Sequence, residues 1–212
     1  MAAVKRNNLL TGVLVSFLLV VGSAAAAADS NNWYAAPRQT FSSAGHPKSK
    51  GVSLRISYPA SWKASEGERP NIVQKFASDG GSGWDFLMIT TKDLPLDPRV
   101  ELTAEDLEAL LAPSALREMA PDGATVKDAR RTRIEAMPAG LLEYRIRGER
   151  LGVVVVFDTI ALIFVSGHTL VQVSLQSTSA SVEQGAEPGH WRDMKALFLS
   201  IANSLVVEER WR

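Results

Sequence analysis

The side chains that could do chemistry in this 212-residue chain make a short list. His46, His168 and His190 are its three histidines, and no two stand at a metal-ligand spacing such as i, i+4. A zinc site would need all three to converge from remote segments; the plainer reading is exposed turn and helix-cap residues. Cysteine is absent, which removes thiol catalysis, disulfide staples and a lipid-acceptor thiol. The stretch Gly80–Trp84, GGSGW, offers a glycine-flanked serine. It lacks the Gly-x-Ser-x-Gly register, and it sits between two strands where the strand-to-helix elbow of such nucleophiles is missing. No Lys-Ser/Thr follows this run, so it is not a phosphate cradle either.

Two charged features stand out. Asp158 interrupts the apolar run VVVVFDTIALIFVS, and burying a lone carboxylate is costly, so it must be paired, hydrogen-bonded or at a bulge unless it is a functional acid. Arg130, Arg131, Arg133, Arg145, Arg147 and Arg150 cluster on neighbouring predicted strands. If those strands pair, two or three guanidiniums share one face and could hold an acidic partner or a carboxylate ligand. The interleaved Glu135, Glu143 and Glu149 allow a solvated, self-neutralising face instead. Trp62 and Trp84 bracket adjacent hairpins, where aromatics mostly close cores but can also form a contact patch. Arg131, Arg133, Arg145, Arg147, Trp62 and Trp84 are therefore the candidate protein-binding residues. No catalytic residue, metal or cofactor is expected.

The elements that would position them begin after a leader. Residues 1–28 carry Lys5 and Arg6, an apolar stretch from Leu9 to Val21 and an alanine run, the layout of a secretory signal peptide. At about 13 residues the apolar stretch is about 20 Å of helix, shorter than a bilayer's roughly 30 Å core. A membrane anchor is expected only if this segment is retained. Cleavage after Ala28 leaves 21 basic against 23 acidic residues. A mature charge near −2 argues against nucleic acid, which calls for a strongly basic face. These features point to a periplasmic or secreted protein.

Residues 29–49 are polar and rich in Ser, Pro, Gly and Asn, and read as a flexible or loosely docked arm. A single domain follows over 50–208. Val52, Leu54, Ile56 and Tyr58 alternate with polar residues as a half-buried strand, and NIVQKFAS and WDFLMITTK then complete a meander with it. Leu107, Leu110 and Leu111 have helical spacing behind a Thr103/Asp106 capping box, and Pro113 ends or kinks that helix. TVKDARRTRIEA reads as a polar edge strand, MPAG as a turn, LLEYRIRG and LVQVSLQS as alternating strands, and the run around Asp158 as a central strand covered on both faces. Trp191, Met194, Leu197, Phe198, Ile201 and Leu205 form one stripe of a final amphipathic helix. The sum is an α+β domain whose antiparallel sheet of six to seven strands is flanked by helices.

The order of GVSLRISYPASWK, NIVQKFAS, WDFLMITT, the mid-chain helix, MPAGLLEYRIR, LIFVSGHTLVQVSLQS and MKALFLSIANSLVV resembles the PsbP-like superfamily over about residues 50 to 207. That superfamily includes photosystem II extrinsic subunits, Ran-binding Mog proteins and bacterial periplasmic members. The resemblance implies an α/β/α sandwich and a binding, accessory or chaperone role for an envelope or secreted protein, with no family catalytic residue to carry over. The contrasting expectation is a small-ligand carrier or enzyme using Asp158 or the Arg145/Arg147 face.

Overall fold

The computed structural model describes residues 36–78, 85–97, 99–150, 153–180 and 189–208. The expected leader, the first part of the arm, the glycine-rich loop and Trp84 lie outside the described residues. In chain order the elements are β1 (Arg38–Ser42), a 3-10 turn (Pro47–Ser49), β2 (Leu54–Pro59), β3 (Lys63–Glu66), β4 (Ile72–Ala77), β5 (Asp85–Asp93), α1 (Ala104–Leu110), α2 (Pro113–Glu118), β6 (Thr125–Ile134), β7 (Met137–Arg150), β8 (Val153–Ser166), β9 (Thr169–Ala180), α3 (Gly189–Ala202) and β10 (Val206–Val207).

Seven strands form an antiparallel sheet in the order β3-β4-β5-β9-β8-β7-β6, and β1-β2-β10 form a second, smaller one. Strand β8 lies inside the large sheet, and from Asp158 to Val165 its residues are buried on both faces. Both faces must therefore be covered. On one, Leu111 and Leu116 pack on Ala129, Leu142, Ala161 and Ile163 beneath α1 and α2. On the other, Trp191, Met194, Leu197, Phe198 and Ile201 of α3, with the small sheet, cover Leu87, Ile89, Leu141, Ile160, Leu162, Phe164, Val171, Val173 and Leu175. The expected α+β sandwich is what the chain adopts. Among the described residues, no helix is long and apolar enough to cross a membrane.

Four local expectations need correction. The arm is structural from Arg38 onward: β1 pairs with β2, Phe41 meets Phe76 edge-on at 5.5 Å, and Ser43 and Ser49 are buried. Strand β2 does not join the meander, because β1 and β10 take both its edges, while β3 occupies the place beside β4. All four residues of β3 are exposed, so no hydrophobic alternation marked it. The chain reverses at Glu135–Ala136, with Glu135 at φ 53, and Met137–Gly140, expected as the turn, are already strand. Finally, α3 stops at Ala202, and Val206 and Val207 pair with Arg55 and Leu54.

Gly140 lies tightly under α2: a Cβ there would lie 2.5 Å from Leu116 Cδ2. Gly140→Val should force α2 off the sheet and cost about 1–3 kcal/mol in urea unfolding. Gly148→Ala, whose Cβ would meet only Phe157 at 3.7 Å, should change stability far less.

Candidate functional site

The site with the geometry of a binding groove lies between α1 and the β6 edge. Thr103 starts the helix: its hydroxyl accepts from the Asp106 N–H at 3.1 Å, and the Asp106 carboxylate accepts from the Thr103 N–H at 2.9 Å. Those hydrogen bonds from Thr103 hold the Asp106 carboxyl below the usual carboxylate range. Pro113 cannot continue α1, since it lacks an N–H and its ring would strike the preceding turn, so it opens α2 at the first helical position. The short helix thus capped at one end and broken at the other lays Leu107 and Leu111 beside the sheet. They line a groove of about 310 Å³ with Glu108, Arg131, Thr132, Arg133, Pro138 and Ala139.

Arg131 Nη1 stands 3.4 Å from Glu108 Oε2, with both side chains more than half exposed. A pair of that kind is worth about 0–1 kcal/mol, so an incoming anion can replace it. Arg133 is exposed and has no ion-pair partner among the described residues. The groove therefore combines an apolar floor with two guanidiniums of low commitment.

The remaining expected site residues go elsewhere. Strands β6 and β7 do pair, yet Arg131 and Arg133 share the face of Gly140 and Leu142, whereas Arg145 and Arg147 share the face of Leu141 and Glu143. The arginine cluster is split across the sheet. Trp62 is 3% exposed and belongs to the main core, so it is not a contact residue. Arg147 is exposed beneath the face that carries α3.

Asp158 and Arg145 are register partners and a buried ion pair: Nε donates to Oδ1 at 2.7 Å and Nη2 to Oδ2 at 3.0 Å. Both carboxylate oxygens are therefore engaged. The same row continues across the sheet through Ser177 to Asp85. Ser177 Oγ donates to Asp85 Oδ1 at 2.6 Å, and His190 Nε2 lies 3.0 Å from both Asp85 oxygens. Serine, histidine and aspartate thus meet, but the carboxylate stands between the other two. In the relay that activates a nucleophile the imidazole stands between serine and aspartate, and here the carboxylate holds that place. One row further in, Glu143 accepts from Trp191 Nε1 at 3.2 Å and from Lys195 Nζ at 3.0 Å.

These polar contacts fix α3 over the sheet. Sequence reasoning missed the Asp85–Ser177–His190 cluster because its members are remote in the chain. The available signal was Asp85 in phase with the inward-facing Leu87 and Ile89. The other two histidines are apart from it: His46 Nδ1 accepts from the Lys48 N–H at 3.2 Å, and His168 Nε2 lies 2.7 Å from the Val100 carbonyl. Among the described residues no cluster of His, Asp and Glu is arranged to hold a metal ion.

No family profile and no curated protein matches this sequence. Among solved structures, one likeness is to LpqN, involved in cell envelope biogenesis of Mycobacterium tuberculosis, at 12% identity and a TM-score of 0.44, covering 84% of this chain and 95% of that one. Another is to a protein of Bacteroides thetaiotaomicron, at 12% identity and a TM-score of 0.38, covering 73% and 44%. At these levels neither likeness bears on what this chain does.

Removing one member of the buried pair tests its role. Arg145→Met should leave Asp158 buried without its counter-ion and cost about 3–5 kcal/mol in urea unfolding. Adding Asp158→Leu should recover most of that loss, since the replacement removes both charges.

Proposed function

We propose that this protein is an exported, non-enzymatic binding domain that serves another envelope or secreted protein as an accessory or chaperone factor. The observation that carries the reading is the groove beside β6, where half-buried Leu107 and Pro138 offer apolar surface and Arg131 and Arg133 offer weakly committed charge. Apolar floors rimmed by exposed arginine suit protein partners, because arginine and buried apolar area dominate interface energies. The leader-like layout of residues 1–28 supports export to the periplasm or exterior. A mature charge near neutrality supports a protein partner over a nucleic acid.

The contrasting reading, a small-ligand carrier or enzyme using Asp158 or the Arg145/Arg147 face, has less behind it. Asp158 and Arg145 already satisfy one another in two hydrogen bonds, so a ligand would have to break a buried pair to reach either.

Photo-crosslinking in cells tests the proposal. A crosslinker replacing Glu108 should yield adducts with a defined envelope or secreted protein, and one replacing Leu199, exposed on the opposite side, should not. Equal adducts from Leu199, or none from the groove, would reject it. Mass spectrometry of the same preparation should find a mature start near Asp29.

A further inference from the structure

The partner's chemistry can be narrowed, on the footing of the groove reading above. Strand β6 is a terminal strand of the seven-stranded sheet, and among the described residues no strand pairs with its outer edge. It is ten residues long, whereas the opposite edge, β3, has four. Short edges are one device that keeps sheets from recruiting further strands, and β6 does not use it. Its pairing with β7 is irregular only between Val126 and Asp128, so Ala129 to Ile134 present a regular run of backbone donors and acceptors. The groove flanks this run: Arg131, Thr132 and Arg133 belong to both.

Charge decides which strand could add here. β6 carries Lys127, Arg130, Arg131 and Arg133 against Asp128 alone. Pairing with a second copy of β6 would set cations against cations, which is destabilising for facing cross-strand pairs. An anionic strand reverses the sign of every such pair. A strand added beside β6 would also send alternate side chains to the face of Arg131 and Arg133, on the side where half-buried Leu107 lines the groove. We infer that β6 and its groove capture an extended acidic segment of the partner protein by strand addition, with acidic side chains on Arg131 and Arg133 and an apolar one in the groove.

The probe is a short synthetic peptide in which Thr alternates with Glu, Leu and Glu, titrated into the mature domain by fluorescence anisotropy. It should bind about tenfold or more tightly than its Lys counterpart, and weaken between about 0.1 M and about 0.5 M salt. Arg131→Glu with Arg133→Glu should lower its affinity about tenfold or more, whereas Arg192→Glu on the α3 side should leave it unchanged. Both changed arginines are exposed, and a retained thermal melt establishes that the double variant is folded. N-methylation of alternate peptide amides should abolish binding, since it removes the donors that strand addition requires.

Equal affinity for the Glu and Lys peptides, or full binding by the N-methylated peptide, would overturn strand capture. If groove crosslinks persist in that case, the protein-binding reading stands and only the acidic-strand inference falls. If the crosslinks are also missing, both fall.

Discussion

The central stretch of β8 cannot face water on either side. From Asp158 to Val165 each residue is buried, so two layers must close over the sheet, and the rest of the architecture supplies them. The α1–α2 pair covers one face and α3 with the small sheet covers the other. Because β9 and β7 flank β8, the order of the sheet follows from hairpins between consecutive segments, and only β5 must reach across to β9. The small sheet then seals the α3 layer, with Tyr58 and Phe41 packed on Phe76.

The α3 face ends in a polar row, Asp85–Ser177–Asp158–Arg145, laid across four strands. Polar groups held at the rim of an apolar stack must satisfy one another or cost more than they contribute. Here the guanidinium answers one carboxylate, and the hydroxyl and imidazole answer the other. The same contacts bind the first turn of α3 to β5 and, through Glu143, to β7. Asp85 and Glu143 thus dock α3 through His190, Trp191 and Lys195. The opposite face ends differently, because α1 is too short to span it and leaves the groove beside β6 open.

Elements with their own local signals were legible in the sequence. The capping box at Thr103, the break at Pro113, the α3 stripe and the two-faced apolar run each rest on spacings within one segment. The four exposed residues of β3, the β1 strand in a polar arm and the reversal at Glu135 carried no such pattern, and were invisible for that reason. Trp62 illustrates the intermediate case. Its type fitted both a core and a contact patch, and only the arrival of distant segments buried it.

By itself, then, the sequence determined the class of fold, the capped start of α1, the break at Pro113 and the need to cover β8 twice, because periodicity and capping are properties of neighbours in the chain. Tertiary structure alone decided that β2 leaves the meander, that Asp158 meets Arg145, that Asp85, Ser177 and His190 converge, and that the arginines divide between two faces. Strand register sets each of these: a shift of one residue between β6 and β7 would have put Arg131 and Arg133 on the face of Arg145 and Arg147. Register is fixed by long-range pairing and by where a turn falls, and neither is written in any single stretch of the chain.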